Sequence, residues 1–163
     1  MLNFIWAQDR NGTIGYQGSM PWHSHEDMVH FRKLTTGHPV VMGRKTFESM
    51  GSRPLPHRDN YVLTHSSLQL PGVHQLSSLS EVKRLLSSTK EDIFVIGGAT
   101  VFRQLLPLAD CLYQTILDGK YPSDTKMPPL NMKRWHLVSQ KKVVASRDGE
   151  PNCTFNTWAL TAQ

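Results

Sequence analysis

Short apolar segments alternate with helical patterns along most of this chain. Eight runs rich in apolar or β-branched residues have the length and composition of strands, from "LNFIWAQ" at residue 2 to "CTFNTWAL" at residue 153. The helical patterns between them lie at about 25 to 35, 44 to 50, 79 to 88 and 99 to 106. The third opens with "SLSEVKRLL", a capping box if Ser78 is the N-cap and Glu81 reaches back. This alternation predicts an α/β fold with a central, mostly parallel eight-stranded sheet, an antiparallel last strand and about four flanking helices.

Length and composition favour one compact domain. A chain of 163 residues with 39% hydrophobic and 19% charged residues can bury one core, and no internal repeat or linker divides it, so residues 1–163 are expected to form a single domain. No apolar run approaches the ~20 residues that a membrane span needs. The segment "MLNFIWAQDR" lacks the basic start and long apolar stretch of a secretion signal. We therefore expect a cytoplasmic protein that does not act on membranes.

Neither the cysteines nor the histidines have a metal-binding spacing. Cys111 and Cys153 are too few and too far apart for a disulfide scaffold or a zinc site, and both are expected to be reduced and packed. His23, His25 and His30 fit no ligand pattern, so no metal is predicted. The net charge of +5 is spread over both halves of the chain, and basic residues occur in pairs without interleaved aromatic residues. A small anionic ligand explains this charge at least as well as a nucleic acid does.

Polar groups suited to phosphate follow three of the predicted strands. Ligands of open parallel sheets bind beyond the carboxyl ends of the strands. In "VVMGRKTFESM", Arg44 and Lys45 begin a helix, where cations are unfavourable unless an anion lies between them and the free backbone N–H groups. The Thr46 hydroxyl adds a further donor. Taken alone, this motif is explained about equally well by a solvated basic loop.

The other two junctions are individually weaker. "FVIGGATVF" places Gly97 and Gly98 where backbone can approach a pyrophosphate closely, although Gly-Gly also serves any tight strand-to-helix turn. "YVLTHSS" ends a strand with Thr64, His65 and Ser66, which form either a cluster of donors or an ordinary polar loop. Together, the three junctions indicate an extended nucleotide with a pyrophosphate and one further phosphate, which is the charge pattern of NADP.

A glycine-rich segment, "QDRNGTIGYQGSMPW", connects the first strand to the first helix. Gly12, Gly15 and Gly18 suggest a mobile lid, and the alternation in "GTIG" can hold part of this lid against a ligand. Met20 and Trp22 would then shield the site from water. A flexible connector is the alternative.

The first helical pattern places a carboxylate on the face that should be buried. At 3.6 residues per turn, Asp27 projects onto the same stripe as Phe31 and Leu34, whereas Glu26 points to the side. Ser24 is a suitable N-cap. Burial of a lone carboxylate costs more than a helix N-terminus returns, so the pKa of Asp27 should be raised. The alternative is a solvated Asp27 that stabilises the first helical turn.

Several motifs together resemble the dihydrofolate reductase family. They are "WAQDRNGTIGYQGSMPWHSHEDMVHFRKLTTGHPVVMGRKTFESM", "RPLPHRDNYVLT", "VIGGATVF" and "YPSDTKMPP". The similarity is specific in the first 65 residues, around 94 to 102 and around 113 to 130, and is little more than a strand pattern elsewhere. It implies an NADPH-dependent oxidoreductase of one-carbon metabolism that reduces 7,8-dihydrofolate to 5,6,7,8-tetrahydrofolate and binds antifolate inhibitors.

The resemblance also implies roles for individual residues. Asp27 would hydrogen-bond the 2-amino group and adjacent ring nitrogen of the pterin, Thr115 would support the same edge, and Trp22 would complete the catalytic group. Arg58 would bind the glutamate α-carboxylate of the substrate. The implied substrate-binding residues are Trp6, Ala7, Asp27, Met28, Phe31, Met50, Leu55, Arg58 and Thr115. The implied cofactor-binding residues are Ala7, Ile14, Gly18, Met20, Gly43, Arg44, Lys45, Thr46, Leu63, Thr64, His65, Ile96, Gly97, Gly98, Ala99, Thr100 and Phe102.

The chain departs from the family pattern in three places. Ser24 and His25 stand where a Leu-Pro pair usually precedes the helix acid, Thr100 replaces a cofactor-binding arginine of some relatives, and "SDT" at 123 to 125 replaces a more common Gly-Asp-Thr. Two alternatives compete with folate reduction: the reductase of another heterocycle, such as the pyrimidine reductase of riboflavin synthesis, and a basic nucleic-acid-binding module. Asp27 and Arg58 favour the folate interpretation. A self-contained site predicts a monomer without an obligate protein partner.

Overall fold

The computed structural model describes residues 1–67 and 71–161, in which strands and helices alternate as predicted. The strands are β1 Leu2–Gln8, β2 Thr13–Gly15, β3 Val40–Gly43, β4 Asn60–Leu63, β5 Val73–Leu76, β6 Ile93–Gly97, β7 Cys111–Leu117, β8 Thr125–Lys126, β9 Trp135–Val143 and β10 Cys153–Leu160. The α-helices are α1 His25–Thr35, α2 Arg44–Ser49, α3 Leu79–Ser88 and α4 Ala99–Leu105. The predicted elements are therefore present, with small differences at their ends.

Eight of the strands form a central sheet in the order β5-β4-β3-β6-β1-β7-β10-β9. Neighbours from β5 to β7 are parallel, whereas β10 is antiparallel to both β7 and β9. This confirms the predicted mostly parallel sheet with an antiparallel last strand. Because parallel neighbours point the same way, the carboxyl ends of β4, β3, β6 and β1 lie side by side at one edge of the sheet.

Alternate residues of the buried strands supply hydrophobic cores on the two faces of the sheet. In β1, Phe4 and Trp6 pack with Phe102 of α4, whereas Ile5 packs in a second cluster with Phe47 of α2. The ring centroids of Phe4 and Phe102 are 5.0 Å apart. Each fully buried side chain of this size contributes about 1.5–3 kcal/mol. Packing on both faces thus holds the strand ends in fixed positions.

Serine side chains begin α1 and α3, as predicted. Ser24 Oγ accepts a hydrogen bond from the Asp27 N–H at 3.1 Å, and Ser78 Oγ accepts one from the Glu81 N–H at 3.2 Å. The Glu81 carboxylate accepts its bond from the N–H of Ser77, at 2.6 Å, so the return bond of the predicted capping box reaches the preceding residue. These bonds satisfy N–H groups that a helix start otherwise leaves without acceptors.

Part of the glycine-rich segment between β1 and α1 forms a small second sheet. Strand β2 pairs antiparallel with β8, and Gly15 lies opposite Thr125. Beyond β2, the Asp124 Oδ2 atom accepts a hydrogen bond from the Gln17 N–H at 2.8 Å. Met20 lies further along the segment and is 53% exposed. The predicted alternation in "GTIG" therefore corresponds to a strand that is held by a distant part of the chain.

Both cysteines, Cys111 and Cys153, are buried free thiols, as expected. Among residues 1–67 and 71–161, no group of three or more potential ligands is arranged to hold a metal ion. Within the same ranges, no helix is both long enough and apolar enough to cross a membrane.

Candidate active site

A cleft of about 1340 Å³ opens beyond the carboxyl ends of β1, β3, β4 and β6. One part of it is lined by apolar side chains of β1 and α1 around Asp27, and the other part by the first residues of α2, α3 and α4. Open parallel sheets bind ligands at this position. Pockets for single small molecules are typically about 300–1000 Å³, so this cleft has room for two ligands side by side.

Most of the predicted site residues lie in the wall of this cleft. The substrate-binding candidates found there are Trp6, Ala7, Asp27, Met28, Phe31 and Met50. The cofactor-binding candidates found there are Ala7, Ile14, Gly18, Met20, Gly43, Arg44, Lys45, Thr46, Leu63, Thr64, His65, Ile96, Gly97, Gly98, Ala99, Thr100 and Phe102. The second set is complete, and it comes from five separate stretches of the chain that the fold brings together.

The Asp27 carboxyl is half-buried at the apolar part of the cleft. Helix α1 places it there because the Ser24 cap fixes where the helix begins. Burial raises the pKa of Asp27 above its ordinary value, and a hydrogen bond with Thr115 works in the opposite direction. The expected rise of this pKa is thereby confirmed. Such a carboxyl can retain a proton at higher pH than an exposed one, or pair with a ligand rich in N–H donors.

Thr115 and Trp22 lie behind the surface of the cleft. Thr115 is 1% exposed and sits in β7 opposite Ala7 of β1, which brings its hydroxyl to Asp27. Trp22 is buried and packs edge-on against Tyr121, with ring centroids 5.4 Å apart. Among the described residues, its ring N–H has no hydrogen-bond partner.

Of the predicted substrate-binding residues, Leu55 and Arg58 are outside the wall of the cleft as the structure describes it. Leu55 packs with Phe31 in the core cluster under α1. Arg58 donates from Nη1 to Thr35 Oγ1 at 3.0 Å and from Nε to the Pro56 carbonyl at 2.9 Å. Its side chain borders a separate pocket of about 330 Å³. Both bonds orient the guanidinium, whose burial together with the nearby Arg32 lowers its pKa.

Two helices that begin at the cleft have glycine N-caps. Helix α2 follows Gly43 and α4 follows Gly98, and within the described chain neither start has a side-chain cap of the kind that Ser24 and Ser78 provide. The N–H groups at such a start favour an anion. Lys45 lies in the same wall. This part of the cleft is therefore suited to phosphate groups.

The same glycines leave the space that a dinucleotide requires. A Cβ atom on Gly43 would lie 2.9 Å from Val101 Cγ2, which is too close without a shift of the side chain. Cβ atoms on Gly97 and Gly98 would lie 3.6 and 3.4 Å from Thr46 Oγ1. Side chains at these positions would fill the gap between α2 and α4. The open gap, the hydroxyl and the neighbouring cations together fit a cofactor that contains a pyrophosphate.

Sequence reasoning missed a group of residues at the far end of the cleft. Ser77, Ser78 and Leu79 belong to the junction between β5 and α3, and Gln104 belongs to α4. The first three also follow a predicted strand, so the rule that identified the other junctions applies to them. The remaining unpredicted lining residues are Ile5, Gly15, Tyr16, Ser19, Ser49, Val101, Leu105 and Thr125. Most of these lie one or two positions from a predicted residue, whereas Thr125 reaches the cleft through the pairing of β8 with β2.

The fold and the cleft define a class of protein. They describe an α/β enzyme with one central sheet, in which an acid-bearing apolar pocket lies next to a wall that suits the phosphates of a nucleotide cofactor. Both halves of the site lie at the same edge of the sheet, so a substrate and a cofactor can meet there.

The chain belongs to the dihydrofolate reductase family. A family model described as "Dihydrofolate reductase" matches residues 1–160. The dihydrofolate reductase of Bacillus subtilis (strain 168) is 42% identical over 143 residues, which cover 87% of this chain and 84% of the relative. That of Staphylococcus aureus (strain Mu50 / ATCC 700699) is 39% identical over 139 residues, with 85% and 84% covered.

A solved structure of the family has the same fold. Dihydrofolate reductase from Enterococcus faecalis, complexed with NADP(H) and RAB-propyl, matches with a TM-score of 0.94 and 34% sequence identity over 99% of this chain and 97% of that one. The resemblance drawn from the sequence motifs is thus confirmed, including the segments where the motifs were weak.

Proposed function

We propose that this chain reduces 7,8-dihydrofolate to 5,6,7,8-tetrahydrofolate with NADPH. The observation that carries the proposal is the half-buried Asp27, close to Thr115, at one end of a cleft whose other end suits a phosphorylated dinucleotide. Membership of the dihydrofolate reductase family supports it. The E. faecalis relative, solved with NADP(H), supports the choice of cofactor.

Asp27 and Thr115 recognise the pterin in this proposal. Burial deprives the Asp27 carboxyl of water, so its oxygens gain from the paired N–H donors of the 2-amino group and the adjacent ring nitrogen. Trp6, Phe31 and Met50 supply the apolar walls for the ring system. The ligand thereby provides hydrogen bonds to Asp27 that the protein itself does not provide.

Arg58 binds the glutamate α-carboxylate at the other end of the substrate. Its bonds to Thr35 and Pro56 orient the guanidinium, which suits a bidentate contact with a carboxylate. Leu55 lies in the neighbouring core cluster and supports the apolar wall between the two ends.

The remaining cleft residues hold the cofactor. The first turn of α4, after Gly97 and Gly98, takes the pyrophosphate, while Arg44, Thr64 and His65 take the further phosphate. Bound NADPH supplies the hydride that reduces the pterin ring. Arg44 also donates from Nε to Glu48 at 2.8 Å, an exposed pair that adds little stability.

Asp27 assists the protonation of the ring nitrogen next to the reduced carbon. Its raised pKa keeps a proton available at higher pH than an exposed Asp would, and the proton passes to the substrate through water. Met20 and Trp22 limit access of bulk water to this end of the cleft. The reaction should therefore slow as the pH rises through the raised pKa of Asp27.

The test is loss of NADPH absorbance on addition of dihydrofolate. We expect turnover with NADPH. NADH should bind at least about tenfold more weakly than NADPH, because a nucleotide without the additional phosphate cannot use Arg44, Thr64 and His65. Turnover of a riboflavin-pathway pyrimidine but not of dihydrofolate would contradict the proposal and favour the alternative reductase. Failure of NADPH to bind, measured by tryptophan fluorescence at moderate salt, would contradict both.

We also propose that residues 1–163 act as one cytoplasmic domain and as a monomer. The cleft is built from one chain, so no partner subunit is needed to complete it. Antifolate inhibitors are expected to bind in the same cleft, at the Asp27 end. We propose neither nucleic acid nor membrane as a partner.

A further inference from the structure

Two glutamates link the β9–β10 loop, residues 144–152, to the first turn of α1. Glu150 Oε1 accepts a hydrogen bond from the His25 N–H at 2.9 Å. Glu26 Oε1 accepts one from the Ser146 N–H at 2.6 Å. Each segment thus contributes one carboxylate and one backbone N–H to a reciprocal contact. The bonded residues are 125 and 120 positions apart in the chain.

The β9–β10 loop has internal bonds that present Glu150 to the helix. Asn152 Oδ1 accepts a hydrogen bond from the Ala145 N–H at 2.8 Å, and the Glu150 N–H donates to the Arg147 carbonyl at 3.3 Å. The Asn152 carbonyl accepts a bond from the Asp118 N–H at 2.9 Å, which attaches the loop to the end of β7. The loop is therefore a shaped support for the contact with α1.

These contacts act on the turn that carries Asp27. A helix start leaves its first N–H groups without intrahelical acceptors. In α1, Ser24 Oγ accepts from the Asp27 N–H and Glu150 accepts from the His25 N–H, so one acceptor is local and the other comes from the β9–β10 loop. Glu26 is joined to the same loop, and its hydrogen bonds with Ser146 hold its pKa below the ordinary value. His25 and Glu26, the two residues immediately before Asp27, are thus both held by the β9–β10 loop.

We propose that Glu150 is a positioning residue for the proposed dihydrofolate reduction: through the His25 N–H it fixes the first turn of α1 and, with it, the Asp27 carboxyl against the pterin. The sequence makes this bond available, since residue 25 is a histidine with a backbone N–H, which a proline would lack. Misplacement of a reacting group by about 1 Å can reduce a rate ~100-fold, so a distant contact of this kind affects catalysis.

The experiment compares Glu150→Ala with Glu150→Gln and with Asp148→Ala. The glutamine amide oxygen still accepts from His25, whereas alanine removes the acceptor. Asp148 is an exposed acid of the same loop and serves as the control. We expect Glu150→Ala to lower kcat/KM for dihydrofolate about tenfold, the change that corresponds to loss of one charge-assisted hydrogen bond. Glu150→Gln and Asp148→Ala should stay within about threefold of the unmodified protein.

Two further measurements separate positioning from general structure. The Kd for NADPH should be unchanged in Glu150→Ala, because the residues assigned to the cofactor phosphates lie at the starts of α2 and α4 and just after β4, not in the first turn of α1. Hydrogen exchange at the His25 amide should become faster in Glu150→Ala but not in Glu150→Gln. If Glu150→Ala is too unstable to purify, Glu26→Ala against Glu26→Gln tests the reciprocal bond with the same readouts.

Three results would overturn the proposal. They are unchanged kcat/KM in Glu150→Ala, an equal loss in Glu150→Gln, or a parallel loss of NADPH affinity. Absence of turnover in the unmodified protein would instead refute the proposed function, on which this inference rests. In that case exchange at the His25 amide still shows whether Glu150 holds the helix start.

Discussion

The Asp27 carboxyl occupies a position that a lone acid tolerates poorly. Burial raises its pKa, and the hydrogen bond with Thr115 compensates in part. A neutral side chain of the same shape would avoid this cost. The acid is therefore best understood through the ligand that it pairs with, and its protonation should control both ligand binding and the reaction rate.

Replacement of Asp27 by asparagine tests this role. Asn keeps the shape but cannot supply a proton, so we expect Asp27→Asn to bind NADPH normally and to lose at least about 100-fold in dihydrofolate turnover near neutral pH. Activity should recover partly in acid, where the substrate is protonated from solution. The measurement is a pH profile of kcat/KM, and identical profiles for the two proteins would contradict the assigned role.

The helix starts that line the cleft are capped in two different ways. Helices α1 and α3 carry serine caps, whereas α2 and α4 begin after glycines at the wall of the cleft. A side-chain cap would occupy the N–H groups that a phosphate needs. Helices α2 and α4 thus leave their first N–H groups to a phosphate ligand, whereas serines cap α1 and α3, whose first turns also line the cleft.

The two serine caps should have similar effects on stability and different effects on catalysis. We expect Ser24→Ala and Ser78→Ala each to lower the free energy of unfolding by about 1–2 kcal/mol, measured by urea denaturation. Only Ser24→Ala should also lower kcat for dihydrofolate, since its cap bond is to the Asp27 N–H. Equal loss of kcat in both variants would show that kcat is no more sensitive to the first turn of α1 than to the first turn of α3.

On the scale of the whole molecule, the packing that forms the site lowers the free energy of unfolding. Thr115 and Asp27 come from β7 and α1, and the packing that brings them together also removes the acid from water. Because the pKa of Asp27 is raised in the folded protein, the native state binds its proton more tightly than the unfolded chain does. The contribution of Asp27 to stability is therefore most favourable in acid, and it is lost as the pH rises from the ordinary Asp pKa through the raised one.

The ligand-free Asp27→Asn protein should accordingly be more stable than the unmodified protein at neutral pH. The gain should be on the order of 1 kcal/mol, a typical effect of a single substitution, because the neutral amide avoids the penalty of a buried charge. The difference should disappear below about pH 4, the ordinary range of Asp. Urea denaturation at several pH values measures it, and a stability difference that grows in acid would have the wrong sign.

Local sequence was enough to predict much of the fold and most of the cleft wall. Periodicity located the strands and helices, and Ser24 and Ser78 identified two helix starts, because these features depend on residues only a few positions apart. The rule that ligands bind at strand ends then placed Arg44, Thr64 and Gly97 at one edge. The departure at His25 was visible, but the hydrogen bond from its N–H to Glu150 was not.

The sequence by itself determined the elements, their order, the kind of sheet and the family, since each is encoded in short patterns and motifs. The tertiary structure alone decided that Thr115 lies behind Asp27, that Arg58 is oriented by Thr35, and that the far end of the cleft includes Gln104. It also decided that Glu150 meets the His25 N–H across 125 positions of chain. Such contacts depend on how the sheet packs distant segments together. The sequence around one partner does not indicate which residue it will contact.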